Sequence, residues 1–108
     1  MGKFQVYKSA ANGQYYYRLR AANNEIIQSG EGYTTKDSCL KGVASVKNNC
    51  YSDRFEKLYV GGQYGFTHRA ANGEPIGRGE KYVTAASRDN GIAAVIREAP
   101  AAPIEDNS

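Results

Sequence analysis

The stretch RAANNEIIQSGEGY, Arg20 to Tyr33, returns 49 positions later as RAANGEPIGRGEKY, Arg69 to Tyr82. The correspondence is wider than these fourteen letters: Gly13 to Tyr51 overlays Gly62 to Pro100 without a gap, and seventeen of the thirty-nine pairs are identical. Such a unit is too short to bury enough apolar surface alone, and three strands with one helix leave a sheet edge open. Two copies related by an approximate two-fold axis can join their sheets and cover one face with both helices. The repeat therefore predicts one domain, a dimer written into a single chain.

Each copy carries the same local signals. KFQVYK and QYYYRLRA alternate as strands, with Tyr15, Tyr17 and Leu19 on one side and Tyr16, Arg18 and Arg20 on the other. The turns ANN and ANG follow, where Asn and Gly accept positive φ at small steric cost. EIIQSGE and EPIGRGE form third strands; Pro75 lacks an amide donor, so it belongs at a strand start. Thr35 and Thr84 are N-cap candidates, with Asp37 favoured in a first turn, which places helices over about 35–49 and 84–98. Their apolar stripes are Leu40, Val43 and Val46, and Ile92, Val95 and Ile96. Gly42 and Gly91 lie in mid-helix, each costing about 1 kcal/mol against Ala, which predicts a close approach by a backbone or an aromatic ring.

The expected fold is α+β: two tandem β-β-β-α(-β) repeats with pseudo-two-fold symmetry, one antiparallel sheet and two helices on one face. The first repeat spans residues 3–53 and the second 54–100. Residues 101–108 form a tail with a short strand at about 102–105 before it frays.

The pattern F-x-V-Y, R-A-A-N-x-E-x-I, E-x-Y and S-x-x-x-x-G-[VI]-x-x-V resembles the YegP-like family of small bacterial proteins, over residues 3 to about 100. The resemblance implies a strand-strand-strand-helix-strand unit, present in tandem or as two subunits, with exchanged terminal strands. By that analogy the strand after each helix falls near DRFEK and APIED. The family supplies no catalytic residues to carry over. His68, where the first copy has Leu19, and Arg88, where it has Cys39, depart from the apolar expectation for the second copy.

The chemistry-bearing residues are few. His68 is the only histidine, so nucleophilic triads and multi-histidine metal sites are not expected. It shares strand parity with Tyr64 and Phe66, which predicts a hydrogen-bonded structural imidazole. Cys39 and Cys50 stand eleven residues apart on one helix, about 16 Å along the axis, too far for a disulfide. Free thiols suit a reducing compartment. The chain opens without the apolar core of a signal peptide and has no run approaching about 18 apolar residues. The cytoplasm is the expected location. GRGEKY and VGGQYG are weak phosphate-loop matches, better read as turns. Glu31 and Glu80 recur at equivalent places before the helices, and the expected role is pairing with Arg or with backbone amides rather than catalysis. No catalytic group, cofactor or metal ligand is assigned.

The uncovered sheet face is the candidate site. Opposite the core parity lie Tyr7, Tyr16, Arg18 and Arg20 in the first copy, and Leu58, Thr67 and Arg69 in the second. The expected binding face is Tyr7, Tyr16, Arg18, Arg20, Thr67 and Arg69. The net charge of +3 is unevenly placed: residues 1–54 hold eight Lys/Arg against four Asp/Glu, and residues 55–108 six against seven. The first expectation is a non-catalytic interaction protein with an unidentified macromolecular or small-molecule partner. Single-stranded nucleic acid, stacked on tyrosines and held by arginines, is the alternative, and a hydrolase or other small-molecule enzyme comes third. Internal duplication satisfies the sheet edges, so a monomer is expected.

Overall fold

The structure, a computed structural model, describes residues 2–108. Seven strands and two helices follow in the order β1 (Lys3–Lys8), β2 (Tyr15–Arg20), β3 (Ile26–Ser29), α1 (Lys36–Asn48), β4 (Phe55–Val60), β5 (Gln63–Arg69), β6 (Pro75–Arg78), α2 (Ala85–Glu98) and β7 (Ile104–Asp106). They form one sheet in the order β4-β5-β6-β3-β2-β1-β7. Its first six strands read the same from either end as two meanders meeting at their third strands. That meeting is narrow, a single register pair between Ser29 and Arg78. Pro75 does begin its strand, as its missing donor requires.

Local chemistry repeats along with the sequence. At the β2–β3 and β5–β6 turns, Asn24 (φ 71°) and Gly73 (φ 87°) take the left-handed conformation. The Asn23 and Asn72 side-chain oxygens accept from the amides of Glu25 and Glu74. Thr35 and Thr84 cap their helices, accepting from the amides of Ser38 and Ser87 at 3.1 and 3.0 Å. The mid-helix glycines answer to an aromatic ring: a Cβ on Gly42 would lie 2.4 Å from the Tyr33 hydroxyl, and one on Gly91 would lie 2.3 Å from that of Tyr82. The same tyrosines extend each repeat's meander by bridging to Tyr15 and Tyr64.

Both helices pack on one face, and each crosses the divide. α1 lies over β1, β2 and the second repeat's β6, while α2 lies over β5 and the first repeat's β3. The core between them gathers Phe4, Val6, Tyr17, Leu19, Val43 and Val46 with Phe55, Phe66, Ile92 and Val95. On α1 the buried stripe is Cys39, Gly42, Val43 and Val46, with Leu40 at its flank. Ala94 takes the place expected of Ile96, which is only half-buried.

Two expectations about the terminal strands need correction. The segment DRFEK is not an exchanged strand of its own: a 3-10 turn at Ser52–Arg54 feeds straight into β4. Covalent joining of the repeats uses that segment up, so β4 is a sheet edge with no strand on its outer side. The sheet is also not antiparallel throughout, because β7 lies parallel to β1, pairing Phe4 with Ile104 and Val6 with Asp106. β7 is held by backbone bonds from Phe4 N to Pro103 O and from Asn107 N to Val6 O. Ion pairs Lys3–Glu105 (2.9 Å) and Lys36–Asp106 (3.0 Å) add to these. No described helix is long and apolar enough to cross a membrane.

Candidate functional site

The strands' alternation divides the chemistry between the two faces. Tyr7, Tyr16, Arg18, Arg20, Thr67 and Arg69 are all half-buried, and all six have the parity of the face opposite the helices. In the first repeat four of them form one connected surface. Tyr7 and Tyr16 stack with centroids 5.8 Å apart, and the Arg18 guanidinium lies 4.7 Å over the Tyr7 ring. Gln5 Oε1 accepts from Nε of both Arg18 (2.9 Å) and Arg20 (2.7 Å). Arg20 also donates to the turn carbonyl of Asn24 at 2.8 Å.

Arg69 repeats the Arg20 arrangement. Its Nε and Nη2 reach Glu56 Oε1 at 3.2 and 2.9 Å, and its Nη1 donates to the Gly73 carbonyl at 2.9 Å. Both arginines thus tie a hairpin turn to the neighbouring strand, and neither is a bare cation. Thr67 stands where the first repeat has Arg18, so the guanidinium–tyrosine stack has no counterpart in the second repeat. Beside it Gly65 replaces Tyr16, leaving a shallow hollow of about 290 Å³ among Leu58, Val60, Gly65, Thr67, Arg78 and Lys81. Sequence reasoning missed this hollow, although the substitution of glycine for tyrosine within the repeat was its signal.

Of the recurrent glutamates, Glu31 pairs with an arginine as expected, reaching across the pseudo-axis to Arg78 Nη2 at 3.4 Å.

His68 is fully buried and lies in a cross-repeat network. Its Nε2–H donates to the carbonyl of Asn49 at 2.7 Å, and its Nδ1 accepts from Gln28 Nε2 at 3.1 Å. Gln28 also donates to the Tyr17 hydroxyl, which donates onward to Ile76 O. Room for the network comes from Gly77, the repeat counterpart of Gln28, where a Cβ would lie 2.3 Å from the Tyr17 hydroxyl. Burial lowers the His68 pKa below its ordinary value, opposed by the bond to Asn49. The imidazole stacks on Phe55 at 4.1 Å, so its departure from Leu19 leaves the packing sound. Arg88 is likewise accommodated, over the Tyr64 ring at 5.4 Å and against Asp89 at 3.1 Å.

Cys39 and Cys50 are free thiols, and burial pushes both up to about 11. Among the described residues no group of three or more His, Cys, Asp or Glu side chains could hold a metal ion.

The family described as "Domain of unknown function (DUF1508)" matches twice, at residues 10–56 and 60–106. A UPF0339 protein of Methanosarcina acetivorans is 44% identical over 54 residues, which is 50% of this chain and 91% of that one. A UPF0339 protein of Treponema denticola is 46% identical over 48 residues, 44% of this chain and 81% of that one. Those relatives are therefore about one repeat long. The solution NMR structure of the E. coli protein of unknown function yegP superposes with a TM-score of 0.90 at 39% identity, covering 98% of this chain and 92% of that one. A UPF0339 protein from Shewanella oneidensis, also solved by NMR, gives 0.91 at 34% identity, covering 97% and 90%. With two matched copies and neighbours of the same fold along nearly its whole length, the chain belongs to the YegP-like DUF1508 family as a tandem of two repeats.

Proposed function

We propose that this is a non-catalytic binding protein that works through the uncovered face of its sheet. The supporting observation is the division of the two faces. One is sealed by both helices, and the other carries the Tyr16–Tyr7–Arg18 stack and the hollow at Gly65. Aromatic faces next to cations and a hollow suit recognition. The buried, fully engaged His68 and the paired Glu31 argue against proton-transfer chemistry. The protein acts as a monomer in the cytoplasm, where its two thiols stay reduced. The test is amide chemical-shift mapping of the labelled protein against a panel of peptides, metabolites and oligonucleotides. Perturbations centred on the open face are expected. Perturbations centred on α1 and α2, or a turnover abolished by His68→Ala or Glu31→Ala, would refute the proposal.

A second reading, binding of single-stranded nucleic acid, is favoured by one observation, the Arg18 guanidinium stacked on Tyr7 next to Tyr16. It requires Arg20 and Arg69 to leave their present partners or to serve phosphates from where they stand. Titration of labelled oligonucleotides at low salt decides it: affinity must be present, must fall with salt, and must weaken in Arg18→Ala, Arg20→Ala and Arg69→Ala.

A further inference from the structure

The two repeats provide an internal comparison for the open face. In the first, the Tyr16 ring stacks on Tyr7, its hydroxyl accepts from Asn12 Nδ2 at 2.8 Å, and its far end lies over Gly32. A Cβ on Gly32 would come within 3.0 Å of that hydroxyl. In the second repeat the corresponding residues are Leu58 for Tyr7, Gly65 for Tyr16, Thr67 for Arg18 and Lys81 for Gly32.

The strand register is the same, but the tyrosine is gone and no other side chain takes its place. A Cβ on Gly65 would meet nothing within 4 Å. What remains is the 290 Å³ hollow, close to the lower end of ligand-site volumes, at about 300 Å³. Its apolar walls are Leu58 and Val60, both exposed to solvent. Its rim holds Arg78, Glu80 and Lys81, two cations to one carboxylate. Lys81 stands at the end towards which a tyrosine hydroxyl would point, and among the described residues it forms no ion pair, whereas Arg78 is engaged by Glu31.

We propose that this hollow binds a small planar aromatic ring bearing a para carboxylate. The ring occupies the place that Tyr16 fills in the first repeat, against Leu58 and Gly65, and the carboxylate meets the Lys81 ammonium. The inference rests on the open-face reading and deepens it.

The probe is 4-methylbenzoate, with p-cresol and 4-methylcyclohexanecarboxylate as comparators lacking the charge and the planarity. Amide shifts are followed on the full chain. Saturable shifts at Leu58, Gly65, Thr67 and Lys81 are expected, with both comparators binding at least fivefold more weakly. Lys81→Ala should weaken 4-methylbenzoate at least fivefold and leave p-cresol unchanged. Gly65→Tyr and, independently, Thr67→Arg rebuild the filled surface of the first repeat and should abolish binding while the rest of the spectrum stays in place. Saturable binding that survives Gly65→Tyr, or no saturable shift at these residues at millimolar probe, would overturn the proposal. Shifts centred on Tyr7 and Arg18 would overturn the hollow and leave the open-face reading standing, and shifts centred on the helices would overturn both.

Discussion

The Tyr17 hydroxyl donates to the carbonyl oxygen of Ile76 at 2.6 Å, a buried bond from a strand of the first repeat to a strand of the second. The β3–β6 pairing at this divide is a single register pair, so side chains carry much of the specificity with which the halves dock. Tyr17→Phe keeps the ring against Phe4 but leaves the Ile76 carbonyl and a Gln28 donor without their partner. A loss of about 1–3 kcal/mol is expected, measured by chemical denaturation.

Helix propensity and packing pull in opposite directions at Gly42 and Gly91. Replacement by Ala would add about 1 kcal/mol of helix stability at an exposed site. Here the new methyl collides with the Tyr33 or Tyr82 ring, whose other side is fixed by its backbone bridge to Tyr15 or Tyr64. Gly42→Ala and Gly91→Ala should each lower the melting temperature. A rise in either would show that the tyrosine yields freely.

These glycines show what the repeat made legible. Two copies carried the same costly residue, so a shared steric cause could be inferred, and the tyrosine two residues before each N-cap supplies it. The caps, hairpin turns, helix limits and open-face parity were readable for the same reason, since each is local and written twice. Features where the copies differ were legible only in part. Strand parity placed His68 on the core face as a hydrogen-bonded imidazole, which it is, but its partners were hidden, because nothing local pairs residue 28 with residue 68. The parallel β7 and the loss of one exchanged strand at β4 depend on how the join is made, which hydrophobic pattern does not encode. The hollow at Gly65 was visible as a substitution but not as a space.

His68, the only imidazole, gives a clean pH signature. Its folded pKa lies below its unfolded value because burial disfavours the cation. The unfolded chain therefore binds the extra proton first as pH falls through about 6.5, and stability must decline below that point. The imidazole resonances should titrate with a midpoint below the 6.5 or so of an exposed histidine. A midpoint at or above that value would contradict the burial argument.

Among the described residues, the outer edge of β4 has no strand beside it. Lys57 occupies the place that Val6 holds in the first repeat, facing the helix side of an unpaired edge strand, where it meets Asp89 at 3.3 Å. A charge so placed discourages another strand from adding. Leu58, Tyr59 and Val60 are exposed on the same strand, so Lys57→Val should promote self-association. Light scattering is expected to show a monomer for the parent chain and a concentration-dependent larger species for the variant.

The central claim is that each half completes the other's layer, which the crossing of α1 onto β6 and α2 onto β3 expresses in packing. The most direct measurement is the melting of residues 1–54 alone across a wide concentration range. The fragment should be unfolded when dilute and gain cooperative melting only on self-association, with a midpoint that rises with concentration. A compact monomer with a cooperative transition indifferent to concentration would contradict the claim.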